Sequence, residues 1–321
     1  MVKALVLLSG GLDSMLAARV LMEQGIETAG LSFKSCFFDT AKAKRAAEQL
    51  GIKLIEIDFS EEHLAMVKNP AHGYGKNMNP CIDCHGMMIR QAKKLLKNYD
   101  FIATGEVLGQ RPMSQNLRAL KTVEKIAEME NKVLRPLSAK LLEETEMEKI
   151  RLVNREKLND IQGRTREKQI ELAEKYGITE YPSPAGGCLL TDAEFSQRLV
   201  KLFDNWTESD GNDVEMIKNG RVIWMNAEQR GTERGTTRKV LVVVGRNKEE
   251  CENLEKLAKK GDIMVELKEE TGPLTIIRIT NYELRITNSL VELEIRIEFK
   301  KMSELGLGGE KSENDIFKID G

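Results

Sequence analysis

The stretch KALVLLS, residues 3–9, is apolar enough to be buried on both faces, and it runs without a break into SGGLDS, Ser9 to Ser14. Behind it comes DSMLAARVLMEQG, whose apolar residues recur at helical spacing. A buried strand that turns on two glycines straight into a helix is the opening of an α/β unit. Gly10 and Gly11 permit positive φ and close backbone approach, the helix start offers free N–H groups and a positive dipole end to an anion, and the hydroxyls of Ser9 and Ser14 add donors. The arrangement suits a phosphate. It is neither a Walker loop, which needs a lysine before its last hydroxyl, nor the dinucleotide fingerprint, whose glycine spacing is absent. The plain alternative is a tight strand-to-helix link.

The first half of the chain continues in the same alternation. Strands are predicted at 27–33, 53–60 and 101–105, helices at 40–51 and 86–99, and a further strand at KVLRPLS, 132–138. This predicts a doubly wound parallel sheet, with ligands at the carboxyl ends of its strands. ETEMEKIRLVNREKLNDI and TREKQIELAEKYG read as two charged helices, and YPSPAGGCLLTD, 181–192, is loop. A helix at 192–206 precedes the polar run TESDGND, 207–213, a candidate linker. Beyond it the pattern changes to short strands, RVIWMN, KVLVVVG, DIMVEL and TIIRIT, with one helix inserted at 248–261. That is a smaller α+β domain. The expected boundaries are a nucleotide-type domain over 1–165, an extension carrying Cys188 over 166–206, a second domain over 214–295, and a tail over 296–321 that reads either as an add-on strand pair or as a poorly ordered end.

Five cysteines, odd in number and unevenly spaced, do not form the even framework of a secreted disulfide scaffold. No run of eighteen apolar residues is present, so the expectation is a cytoplasmic protein with no membrane partner. The formal charge of −2 does not mark a nucleic-acid binder, yet Lys218 to Lys248 holds eight Lys or Arg against two Glu, RGTERGTTRK among them. Such a stretch can pair with phosphates or be a solvated face. NPCIDCHG places Cys81 and Cys84 three apart beside His85, and Cys188 lies in PAGGCLLTD a hundred residues later. Three readings fit: a structural zinc site of three cysteines and His85, a redox pair, and an iron-sulfur cluster held by three cysteines with one iron open. The neighbouring helix start is expected to favour thiolates. Cys251 reads as a small helix residue and Cys36 as a spare thiol at the end of the second strand.

The order S-G-G-x-D-S after the first strand resembles the pyrophosphate loop of the PP-loop, or N-type, ATP pyrophosphatases, which cleave ATP between its α and β phosphates. Within that superfamily the sequence is similar to the tRNA thiouridine synthases as far as about residue 200. N-P-C-I-D-C-H matches their P-D-x-x-C context, with Cys84 at the catalytic place, Cys81 where the family has aspartate, and Cys188 at the partner place. The resemblance implies ATP on Ser9, Gly10, Gly11, Asp13 and Ser14, with Asp13 helping to place Mg2+. It also implies a nucleotide-side role for Thr104, Gly105, Gln110 and Arg111 in TGEVLGQRPMSQN. The extra cysteine implies a 4Fe-4S site on Cys81, Cys84 and Cys188, with zinc as the alternative metal, in place of a disulfide relay. The second domain resembles the NFACT-R type of RNA-binding module through VVVGRNKEECENLEKLAKKGDIMVEL and GPLTIIR.

The expected activity is therefore ATP-dependent tRNA thiolation by a sulfurtransferase, which adenylates a uridine carbonyl oxygen and then inserts sulfur, with Asp13, Cys84 and Cys188 as its catalytic residues. Its partners are tRNA and a sulfur donor, sulfide or a persulfide carrier, with a homodimer as an option. Two rivals use part of the same sequence: an adenylating ligase or amidotransferase acting on a small molecule, and a non-catalytic RNA-binding protein with a zinc knuckle.

Overall fold

The computed structural model of the 321-residue chain describes residues 1–183, 188–228, 237–266 and 272–279. The chain divides into two compact units, Met1–Ser196 and Gln197–Gly321.

The first unit runs β1 (Lys3–Leu7), α1 (Leu12–Met22), β2 (Glu27–Lys34), α2 (Ala41–Leu50), β3 (Leu54–Asp58), α3 (Ser60–Lys68), α4 (Cys81–Lys93), β4 (Phe101–Thr104), α5 (Leu117–Ala127), β5 (Val133–Leu134), α6 (Glu146–Lys149) and α7 (Glu167–Lys175), and the division falls within α8 (Ala193–Asn205). The five strands are parallel in the order β3-β2-β1-β4-β5. The order reverses direction at β1, so the crevice for a ligand opens where β1 and β4 end side by side. Both sheet faces are covered, as a parallel sheet requires. On one face Val6, Leu16, Ala17, Ala47 and Ala173 join α1, α2 and α7 in a core. On the other, Leu5, Ile89, Ile102 and Val123 bring in α4 and α5.

The second unit continues with α9 (Gly211–Lys218), β6 (Arg221–Glu228), β7 (Thr237–Val244), α10 (Lys248–Leu257), β8 (Ile263–Val265) and β9 (Thr275–Ile279). Its four strands form an antiparallel sheet in the order β6-β7-β9-β8. Val240, Val242, Val244 and Ile277 cluster on one face, two residues apart along β7 as the pleat dictates. Arg278, with a side chain 4% exposed, pairs with the buried Asp213 and Asp262 and so ties α9 to the turn before β8.

Several expectations are corrected. The stretch 144–161, read as one charged helix, holds only α6 and a 3-10 turn at Arg155–Lys157. Arg151 takes a left-handed φ of 61°, which ends the helix. Glu148 meanwhile turns inward, accepting from Thr145 N at 2.8 Å and pairing with Arg155 at 2.6 Å. The run 207–213 is not a linker throughout: Asp210 accepts from the amides of Asn212 and Asp213 and caps α9. Helices α3 and α5 had no counterpart in the sequence reading. The tail over 296–321, the end of the expected second domain, and most of RGTERGTTRK lie outside the described residues.

Candidate nucleotide and sulfur site

Two glycines bring the phosphate loop to its place. Gly10 has φ +77°, and a Cβ there would fall 2.3 Å from the Lys42 carbonyl carbon, so only glycine lets α2 close on the loop. Gly105, just past β4, would set a Cβ 2.5 Å from Ser14 N and 2.6 Å from the Asp13 carbonyl carbon. The end of β4 is thus pressed against the first turn of α1. Gly11 is the N-cap of α1 and no side chain caps that end, which leaves its first amides open to an anion. The hydroxyls of Ser9 and Ser14 face each other at 3.4 Å, and Ser14 Oγ donates to Gly11 O at 2.8 Å, so both serines brace the loop from within.

Asp13 stands in that first turn with its two oxygens in different states. Oδ2 accepts from Gln110 Nε2 at 3.0 Å, whereas Oδ1 is buried without a hydrogen-bond partner among the described residues. A buried carboxylate oxygen with no donor is costly. A divalent cation would satisfy it, so the residue present fits Mg2+.

Gln110 begins a tight loop. Gly109 N donates to Gln115 O at 2.7 Å and Gln115 N to Arg111 O at 2.8 Å, and Asn116 Nδ2 donates to Pro112 O at 2.7 Å. The far side of this loop meets the cysteines. Ser114 is 2% exposed, and the charge of Arg111, expected at the nucleotide, acts on both Cys81 and Cys188.

Cys81 and Cys84 are not just before a helix but inside it, in the first turns of α4, with Cys84 N donating to Pro80 O at 2.9 Å. Spacings of three and four put Cys81, Cys84 and His85 on one face. Cys188 joins them from the distant loop: Asn77 Nδ2 donates to Thr191 O at 2.7 Å, which fastens the 3-10 turn after Cys188 to the segment before α4. The three thiols act on one another electrostatically, Cys84 with both others and Cys81 with Cys188. The expectation that the helix start favours thiolates is reversed, because burial pushes all three thiols up and the Arg111 charge offsets only part of it. None of the described cysteines is in a disulfide. Among the described residues no group of three or more His, Cys, Asp or Glu side chains is gathered as one metal ion requires.

His85 is oriented by a carboxylate. Its Nδ1 lies 2.9 Å from Glu106 Oε1, while Glu106 Oε2 takes hydrogen bonds from Thr104 Oγ1 and Arg135 Nε, both at 3.0 Å. Arg135, its side chain 3% exposed, also pairs with Glu124. Burial pushes the Glu106 carboxyl up, but Arg135, His85 and Thr104 overcome it and hold it down to about 2. Thr104, expected at the nucleotide, spends its hydroxyl in this network. Asp83, between the two cysteines, accepts from His72 N at 2.9 Å and faces His72 Nδ1 at 2.7 Å, which orders the approach to α4. Sequence reasoning missed Glu106 and Arg135. The signal was there, since each is a charged residue next to an apolar strand at the ligand edge. Cys251 packs in the second unit, its Sγ accepting from Leu274 N at 3.4 Å, as expected of a small helix residue, and Cys36 is buried at the end of β2.

Residues 1–151 match the family model described as thiamine biosynthesis protein (ThiI). With the strand order and the loop after β1, the first unit has the PP-loop ATPase fold, and the second is a separate antiparallel-sheet domain. The chain is 37% identical over 120 residues to the tRNA-specific 2-thiouridylase MnmA of Sulfurimonas denitrificans, covering 33% of this chain and 35% of the relative. To the protein of that name from Treponema denticola it is 34% identical over 121 residues, 32% of each chain. A solved 4-thiouridine synthetase–RNA complex with bound ATP aligns with a TM-score of 0.35 at 21% identity, covering 55% of this chain and 51% of that one. No helix among the described residues is long and apolar enough to cross a membrane. The chain spans about a third of the length of the curated relatives it matches.

Proposed function

We propose that this chain carries out ATP-dependent thiolation of a tRNA uridine. One observation carries the reading: a single short loop donates from Gln110 to Asp13 and brings the charge of Arg111 to bear on Cys81 and Cys188. A phosphate loop alone suits any adenylating ligase. Three interacting thiols at the other end of that loop suit an activated oxygen that is to be exchanged for sulfur.

The open amides of α1 hold the β and γ phosphates, and Asp13 would hold Mg2+, which supplies neutralising charge. The uracil carbonyl oxygen attacks the α phosphorus, the new O–P bond forms as the α–β bond breaks, and pyrophosphate leaves. Positioning and charge neutralisation supply most of this step. Sulfide then adds at the activated carbon, the carbon–oxygen bond to AMP breaks, and the proton is lost to water. With sulfide as donor the exchange is redox-neutral. A persulfide carrier would have to bring two electrons with its sulfur. The target base has to leave its stack to reach the crevice, and the second domain and the basic stretch after Lys218 are assigned to holding the tRNA.

Cys81, Cys84 and Cys188 would hold a 4Fe-4S cluster, whose chemistry is to offer a fourth iron to a non-protein sulfur. The donor set fits. Buried thiols with raised pKa values are poor nucleophiles by themselves, and bound metal is what removes their protons. In this reading the ligand set is the three cysteines alone, and Glu106 orients the ring of His85.

Iron and acid-labile sulfide analysis of anaerobically purified protein, with nucleoside mass spectrometry of its tRNA product, tests the reading. Cys84→Ala and Cys188→Ala are expected to lose cluster absorbance and thiolation together, while Asp13→Ala loses tRNA-dependent ATP–pyrophosphate exchange and keeps the absorbance. Full thiolation by Cys188→Ala refutes the three-ligand site, and exchange driven by a small acid without tRNA refutes the substrate.

A further inference from the structure

Behind the phosphate loop, on the side away from the cysteines, the first unit holds a cavity of about 360 Å³ that the proposed chemistry does not use. Its walls are Gly10, Met15 of α1, the face of α2 carrying Lys42, Arg45 and Gln49, and the segment 179–182 that leads on to the Cys188 loop. The wall is fastened. With its amide turned to suit both partners, Gln49 donates to Glu180 O at 3.0 Å and accepts from Glu180 N at 3.3 Å.

The charge of this cavity is uncompensated. Lys44, on the same helix but outside the cavity, is paired with Glu56 at 3.2 Å. Lys42 and Arg45 are exposed and have no ion pair or side-chain hydrogen bond among the described residues. Two free cations stand against the single carboxylate of Glu180 in a polar recess. A lysine and an arginine left unpaired three residues apart suit one class of ligand, a phosphate, which the guanidinium can grip bidentately and the ammonium as a point charge.

We infer that Lys42 and Arg45 seat a phosphodiester of the RNA substrate. The inference rests on the tRNA reading above and adds to it where the backbone runs. The closeness of the loop's own glycine makes the recess a register point: a phosphate held there lies one loop-thickness from the bound nucleotide, so gripping it sets how far along the strand the target base must be to reach the crevice. Phosphate contacts of this kind fix position and carry no sequence information. The same chemistry would also greet departing pyrophosphate, and the two sources are separable.

The test compares Lys42→Gln/Arg45→Gln with wild type in tRNA binding across a salt titration, with Lys44→Gln as a control that removes the same kind of charge from the same helix. Thermal unfolding of each variant reports whether the fold survives. Each phosphate contact contributes roughly 0.7 to 0.9 to the slope of log affinity against log salt. The double variant removes the grip on one phosphate, so it is expected to lose roughly 0.7 to 0.9 from that slope and to bind tRNA about tenfold more weakly, while Lys44→Gln follows wild type. Unchanged affinity and slope in a folded double variant overturn the inference. So does a variant that binds tRNA normally but loses product inhibition by pyrophosphate, which assigns the recess to the leaving group. Failure of the wild type itself to bind tRNA overturns the substrate reading and this inference with it.

Discussion

Replacing Gly105 by alanine tests whether the phosphate loop is positioned by close contact with β4. The added Cβ would meet Ser14 N at 2.5 Å, the Asp13 carbonyl carbon at 2.6 Å and its oxygen at 2.7 Å, all of them backbone. Ordinary contact begins near 3.4 Å, so the first turn of α1 has to retreat by roughly 1 Å, with no flexible side chain to absorb the strain. Overpacking of this kind costs about 1–3 kcal/mol. For a unit of this size each kcal/mol lowers Tm by about 2–4 °C, so a fall of roughly 2–12 °C is expected by calorimetry. The retreat also moves Asp13 and the open amides, and a misplacement of about 1 Å in a positioning group lowers rate on the order of a hundredfold. Exchange of labelled pyrophosphate into ATP in the presence of tRNA is the assay. Wild-type exchange kinetics together with an unmoved Tm would refute the account, because they would mean that α1 is not held by β4.

His63 is fully buried, stacked on Phe59 at 4.9 Å with neither ring nitrogen partnered among the described residues, and burial pushes it down to about 4. The unfolded chain takes up its proton near 6.5 while the fold refuses it until about 4, so stability is intact above 6.5 and falls by about 3 kcal/mol as pH drops to 4. His63→Phe is expected to flatten that part of the denaturant-versus-pH profile, and an unchanged slope counts against it. Glu106→Ala strips the buried Arg135 of one of its two carboxylates and is expected to cost about 3–5 kcal/mol in urea unfolding; a cost under 1 kcal/mol would mean that water replaces the carboxylate. In the second unit, Arg278→Ala removes the guanidinium that buried Asp213 and Asp262 share, with a similar expected loss read from the unfolding of that unit; Arg278→Met, which keeps the bulk, separates charge from packing.

The parallel sheet was legible because its strands are apolar runs punctuated by glycine and by helices of clear period. All four strands of the second unit were legible for the same reason. The phosphate loop and the cysteines could be named because each is a local cluster. What the sequence hid was long-range: that Gln110 reaches Asp13, that the Arg111 charge acts on Cys81 and Cys188, and that Glu106 fixes the ring of His85. The charged stretch at 144–161 misled because helix propensity is local, whereas Glu148 is committed to Thr145 and Arg155 by burial. The sign of the thiol shifts also depends on burial, which no spacing rule reports.

The register of the sheet has a consequence for how the protein is made. Ala4 pairs with Thr28 on one side and with Phe101 on the other, so the first strand waits for a partner almost a hundred residues downstream. Pairings of such separation form slowly and leave an unpaired edge exposed meanwhile. During synthesis the phosphate grip is complete only when Gly105 arrives against Asp13, and the third thiol follows with Cys188. In a growing chain Cys81 and Cys84 thus emerge before Gly105 closes on the first turn of α1, and Cys188, which completes the set of three thiols, comes last.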